Sequence, residues 1–250
     1  MTSAISSLIQ REFLRFIRQK GRVIATMVTP LGFWLFLGSG IARSFGSLGN
    51  KFATGSLEFF FPGMLLMVVL FASVFSMISL IEDRDEGFLQ SVLVSPVSNV
   101  TIVMSKVGAC TLFAMLQAFP FFLLSIFLGY WSGPWPWLSS FVVLILVSIL
   151  MASLSFVLAW LSQSVGEFHS WMNTLLFPMW MISGALFPVS ESLGWIRALA
   201  YVNPLFYAHQ ALLRFQGFET ADFPAEVILC LSAFVFVLLS LLFLKRKRAS

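Results

Sequence analysis

Long runs without a charged side chain alternate along this chain with short polar punctuation. The uncharged runs are Val23–Ala42, Phe59–Ile81, Val107–Gly166, Ser170–Ser190 and Val227–Leu244. A helix crosses the hydrocarbon core of a bilayer with about 20 apolar residues. The run from 107 to 166 is long enough for two crossings, and "YWSGPWPW" (Tyr130–Trp137) divides it. Gly and Pro stop a helix there, while Tyr and Trp favour the headgroup zone. The pattern therefore predicts six transmembrane helices, at about 23–42, 59–81, 107–130, 137–161, 170–189 and 226–244. The fold class is all-α integral membrane, with a single membrane domain over residues 1–250 and no internal repeat or soluble domain.

Two segments outside the spans carry a pattern of their own. Over residues 3–20, Ile5, Leu8, Ile9, Phe13, Phe16 and Ile17 recur at helical spacing, with Arg11, Arg15, Arg18 and Arg22 on another face. This predicts an amphipathic helix lying in the membrane interface, its basic side near anionic lipid. Between the fifth and sixth spans, residues 191–225 hold an uncharged stretch too short to cross, interrupted by Asn203-Pro204. It reads as two short helices that dip into the outer leaflet and return, which the bilayer tolerates where protein or a wet cavity satisfies the backbone. A Gly- and Ser-rich connector, Arg43–Glu58, joins the first two spans.

Composition agrees. Hydrophobic residues make up 59% of the chain and charged residues only 10%, and the mean hydropathy is +0.93. A soluble domain is about 45–50% apolar and about 25% charged. The net charge of +4 reports topology rather than nucleic-acid binding. Six spans put both termini on one side, and that side holds every Lys and Arg except Arg43, Lys51, Arg197 and Arg214. The positive-inside rule then makes both termini cytoplasmic. Cys110 and Cys230 fall inside spans without metal-ligand spacing, and no cleavable signal peptide is expected.

Much chemistry is excluded. No expected span interior carries an ionisable group, which disfavours a proton- or sodium-driven carrier. No GxxxxGK[ST] phosphate loop occurs, so the chain has no nucleotide site of its own. His169 and His209 fall at opposite ends of the expected bundle and cannot share one iron. No catalytic triad, metal cluster or paired-carboxylate constellation faces a common side, so a non-catalytic chain is expected.

Against this background "IEDRDEGFLQSVLVSPVSNV" (Ile81–Val100) is conspicuous, with five charged side chains in a row from Glu82 to Glu86. Glu82, Asp83, Asp85 and Glu86 outweigh Arg84. Anionic headgroups repel such a cluster, so the segment is expected to project from the membrane. Phe88, Leu89, Val92 and Leu93 recur behind it at helical spacing. Ser95-Pro96 ends that helix, and Ser98 or Asn99 caps the next span. From these residues alone, a docking element and a solvated loop remain equally open.

"DRDEGFLQSVLVSPVS" (Asp83–Ser98) resembles the cytoplasmic signature of the type-2 ABC exporter permeases, in which an acid-Arg-acid-x-Gly run leads into a hydrophobic helix and a Pro-Val-Ser turn. "SGALFPVSE" (Ser183–Glu191) and "NPLFYAHQALLR" (Asn203–Arg214) are similar to that family's exit from the fifth span and its external Asn-Pro-Leu segment. Lys106 matches a basic residue that often opens the third span. Phe88 stands where Thr is usual and Asn99 where Arg is usual. The resemblance covers nearly the whole chain. It implies a coupling helix at about 82–94 that docks on a cytosolic ABC ATPase through Glu82, Asp83, Arg84, Asp85, Glu86, Gly87, Leu93, Ser95 and Pro96. It implies a connecting helix near the N-terminus and an external gate at Asn203, Pro204 and Leu205. It also implies a pathway along the second and fifth spans, with Phe71, Phe75, Asn173, Phe177 and Met179 as lining positions. Two permease chains, this one and a second copy or a paralogue, would join two ATPase subunits, with ATP and Mg bound on the partner ATPase and no cofactor on this chain.

Two functions follow. One is the permease subunit of an exporter of amphipathic, lipid-like or lipid-linked substrates in the cytoplasmic (inner) membrane. The other is a non-transporting membrane scaffold for a cofactor or respiratory complex, with the acidic loop as its dock.

Overall fold

The computed structural model describes residues 2–45, 56–94, 97–131, 133–218 and 224–249, and it is helical almost throughout. The elements are α1 (Thr2–Arg18), α2 (Lys20–Phe45), α3 (Ser56–Asp85), α4 (Phe88–Val94), α5 (Asn99–Phe127), α6 (Pro134–Leu161), α7 (Val165–Trp171), α8 (Phe177–Trp180), α9 (Gly194–Val202), α10 (Pro204–Phe215) and α11 (Ala225–Ala249). Among the described residues there is no β-strand. Among the described residues, five helices are long and apolar enough to cross a membrane: α2, α3, α5, α6 and α11.

The bundle is built around α3. In its most apolar window 94% of the residues are buried, against 22% in α2 and in α11. Helices α2, α5, α6 and α10 pack around α3, α11 lies on α6, and α1 lies along α5. The outward faces of α2 and α11 are apolar, with Ile24, Val28 and Phe36 on one and Leu231, Phe234 and Leu242 on the other all exposed. A hydrophobic outer face is what lipid contact demands, since a water-facing surface would be polar.

The expected fifth span, 170–189, takes a different form. Residues 165–183 are helical, but α7 and α8 alternate with π turns at Met172–Leu176 and Met181–Ala185, and the backbone leaves helical geometry at Gly184, whose φ is +97°. No uninterrupted α-helix of membrane-spanning length forms there. The first π turn directly precedes Phe177-Pro178. In a regular α-helix the proline ring would collide with the carbonyl four residues back, and the wider turn relieves that collision. Two side chains tie this stretch to its neighbours. The Trp180 indole donates to the Gly63 carbonyl at 2.8 Å, and the Asn203 amide donates to the Met179 carbonyl.

The third expected span begins two turns earlier than charge alone suggested, at Asn99 rather than near Val107. Of the two candidate caps, Ser98 performs the role, its hydroxyl accepting from the Thr101 N–H at 3.2 Å. The segment after the expected fifth span contains two short helices, α9 and α10, divided at Asn203.

Candidate functional site

At the end of α3 remote from Gly63, the acidic stretch does not project as a unit. Glu82, Asp83, Arg84 and Asp85 form the last turn of α3, and the short helix begins only at Phe88. The expected helix over 82–94 is therefore two pieces, joined at Gly87, whose φ of +77° only glycine adopts readily. There the Gly87 N–H bonds back to the Arg84 carbonyl, closing α3 and reversing the chain.

The acids turn inward, onto α1. Asp83 is fully buried and accepts from three cations. Arg11 Nη2 donates to its Oδ1 at 2.7 Å, Arg15 Nη1 to the same oxygen at 2.6 Å, and Lys106 Nζ to Oδ2 at 2.6 Å. Lys106 also reaches Glu12 Oε1 at 2.9 Å and Ser79 Oγ at 3.2 Å, while the Ser79 hydroxyl donates to Glu12 Oε2 at 2.8 Å. Glu12 and Lys106 are themselves buried. Each charge in this knot has an opposite partner, the condition under which burying ions is tolerated. The Asp83 hydrogen bond raises the Arg11 pKa still further above its ordinary value, so Arg11 is permanently charged.

Around this centre lies a half-exposed ring. Glu82 pairs with Arg22 at 2.8 Å and lies 3.1 Å from Arg15, which also reaches Glu86 at 3.1 Å. Arg84 points the other way and donates to the Trp160 and Ser162 carbonyls at the end of α6, where cations complement the helix dipole. The guanidinium of Arg11 stacks over the Phe88 ring, 3.7 Å from its centroid, joining α1 to α4.

The apolar side of α1 is covered as well. Phe13 and Phe16 stack on Phe113 of α5 at 5.6 and 4.4 Å, with Ile9 and Val23 beside them. The expectation that α1 offers its basic face to lipid is thus corrected: Arg11 and Arg15 are spent on the acids of α3, and Arg18 and Lys20 remain exposed.

What faces outward is smaller than the sequence suggested. Asp85, Glu86, Gln90, Ser91 and Val94 are exposed, whereas Leu89 is buried in the core. Ser95 and Pro96, and the side chain of Leu93, lie outside the described residues.

Near the opposite end of the bundle, Asn203 caps α10 through its side chain, which accepts from the Leu205 N–H at 3.0 Å. Pro204 occupies the first turn of α10, and Leu205 is fully buried. Of the pathway positions, Phe71 and Phe75 stack on each other at 6.2 Å. Phe177 stacks on Trp180 at 5.5 Å, Asn173 is exposed, and Met179 is half-buried.

Sequence reasoning missed Glu12 and Ser79 as members of the knot. The available signal was Glu12 itself, the one acid in the strongly basic segment 11–22.

Residues 3–216 match the family model described as ABC-2 type transporter. The chain belongs to that family. A protein of Cyanophora paradoxa named "Putative transport permease ycf38" is 30% identical over 202 residues, covering 80% of this chain and 69% of that protein. Its namesake from Porphyra purpurea is 26% identical over 228 residues, covering 90% and 77%. The "ABC-type transporter oblD" of Aspergillus clavatus is 34% identical over 86 residues, 34% of this chain and 6% of that much larger protein. This ABC-2 chain is accordingly a multi-pass membrane transporter subunit, of a family whose membrane chains are generally non-catalytic and work with an ABC ATPase. The rival reading, a non-transporting scaffold, gives way.

Proposed function

We propose that this chain is the permease half of an ATP-driven exporter, moving an amphipathic, lipid-like or lipid-linked substrate across the cytoplasmic membrane. The observation that carries this reading is the buried charge knot. Through Asp83, Lys106, Glu12, Arg11 and Arg15 it fastens the end of α3, the start of α5 and α1 into one block, and the Arg11–Phe88 stack adds α4. A push on α4 then reaches α3 and α5 together without being absorbed by a flexible loop.

In this reading residues 165–185 complete a six-span bundle with both termini in the cytoplasm. A cytosolic ATPase dimer, with ATP and Mg bound to it, docks on α4 and the exposed Asp85 and Glu86. The pair α9 and α10, pinned by Asn203, Pro204 and Leu205, re-enters the outer leaflet and closes the exit. A second permease chain completes the path, which Phe71, Phe75, Asn173, Phe177 and Met179 line. The uncharged, aromatic character of those positions suits an apolar or amphipathic cargo.

The test leaves the knot intact. Asp85→Lys, Gln90→Lys and Val94→Asp together alter only exposed positions outside the ion pairs. The expected result is loss of co-purification with the cytosolic ATPase, with membrane insertion and thermal stability unchanged. Undiminished co-purification would remove α4 from the docking surface.

A further inference from the structure

The end of the bundle remote from Asp83 contains a cavity of about 340 Å³. It lies beside Phe59 of α3, about 36 Å along the helix from Asp83 at 1.5 Å per residue, and is walled by α10 and by the chain leaving the second π turn at Gly184. Its surface is largely aromatic and aliphatic, with Phe59, Tyr201, Phe206 and Leu213 among its walls, and none of its lining residues is an acid, a lysine or an arginine.

His209 is one of the residues that line this cavity. It is 1% exposed, and among the described residues neither ring nitrogen has a hydrogen-bond partner. The ring is held from two sides. Phe59 meets it edge-on at 6.4 Å, and Gly184 lies so close that a Cβ there would be 3.0 Å from Nδ1. A buried polar group left without a partner costs about 1–3 kcal/mol, so an imidazole held this way is a strong candidate to meet a ligand. Burial keeps the ring neutral, leaving one nitrogen as donor and the other as acceptor.

We infer that this cavity binds the head of an uncharged amphiphile, whose hydroxyl or amide pairs with His209 while its chain leaves along the aromatic wall towards the membrane. An anionic head is disfavoured because no lining cation would compensate it, and a cationic head because no carboxylate is present. The volume is near the lower end of the range of about 300–1,000 Å³ for small-molecule sites. It therefore fits a head with the upper part of a chain rather than a whole two-tailed lipid. The inference rests on the exporter reading only for what the occupant is for, either cargo or lipid ligand.

The test is photolabelling of the full chain in phosphatidylcholine nanodiscs, with no ATPase present. The probe is a diacylglycerol carrying a diazirine near the carbonyl end of one acyl chain, with the matching phosphatidic acid as the charged control. The expected result is labelling of peptides containing Phe59 or Phe206–Leu213, saturable by unlabelled diacylglycerol and absent with phosphatidic acid. His209→Phe keeps a ring but removes both nitrogens. It should raise the half-saturating concentration about fivefold, the loss expected for one hydrogen bond. Ser190→Trp, at an exposed position on the rim, should block labelling without disturbing the interior, and thermal unfolding verifies that both variants fold. Unsaturable or absent labelling, equal labelling by phosphatidic acid, or wild-type behaviour in both variants would overturn the inference. Because no turnover is measured, such a failure would leave the exporter reading standing.

Discussion

Lys106 and Asp83 meet at 2.6 Å with both side chains almost entirely withdrawn from solvent. They come from α5 and α3, 23 positions apart in sequence, and the two arginines of α1 reach the same carboxylate. Removing one member of a buried ion pair typically costs about 3–5 kcal/mol, because the other charge is left uncompensated. Asp83→Asn and Lys106→Met should each lower the unfolding temperature of the full chain markedly. The double variant should be less damaged than the sum of the two, since with both partners neutral neither charge of the pair is left stranded. A thermal-unfolding cycle in detergent measures this, and strictly additive effects would show that the pair is not coupled.

The approach of α3 to the π turn at Met181–Ala185 depends on Gly63. A Cβ at that position would lie 2.7 Å from Ala185 Cβ and 3.0 Å from the Ala185 Cα. Neither atom is the tip of a flexible chain, so Gly63→Ala must push the helices apart and strain the Trp180–Gly63 hydrogen bond. The expected loss is about 1–3 kcal/mol. Ala185→Gly in the same chain should recover part of it, and unfolding temperatures of the single and double variants are the readout.

Asn203 performs two tasks with one side chain, capping α10 and holding the Met179 carbonyl. Asn203→Ala should cost about 1–2 kcal/mol from the cap alone. Asn203→Asp should retain the cap but lose the donor to Met179. Hydrogen exchange of α10 discriminates the two: faster in Asn203→Ala, and near wild type in Asn203→Asp.

Burial alone pushes the His209 pKa down to about 3. In the unfolded chain it titrates near 6.5. The folded state therefore loses stability as pH falls below about 6.5, because only the unfolded state takes up the proton. Between pH 7 and 5 this amounts to about 2 kcal/mol, above the range where carboxylates titrate. His209→Gln should flatten that part of the curve of unfolding temperature against pH. An unchanged slope would show that His209 is protonated in the folded chain.

The charge-free runs located the long helices because burying a charge in lipid is costly, and that rule leaves a direct trace in sequence. The rule is weakest where a charge is paired. Lys106 ended a charge-free run, yet it lies two turns inside α5 because Glu12 and Asp83 accompany it. For the same reason the acids of 82–86 looked like one exposed patch. Their true division, Glu82 and Asp83 inward and Asp85 outward, depends on α1 folding back against α5, a long-range contact that no local pattern encodes. Asn203-Pro204 was legible as a break between two helices, since a capping residue followed by proline is a local signal. The neighbourhood of His209 was not, because Phe59, Gly184 and His209 are brought together only by the packing of three elements.

The two π turns on either side of Pro178 have a mechanical consequence. A helix widened in this way has already surrendered part of its regular i to i−4 ladder, so a further change in pitch sacrifices fewer bonds there than in uninterrupted α3. The region 172–185 is the soft joint of an otherwise stiff frame, and its amide protons should exchange with solvent sooner than those of the helix it leans on.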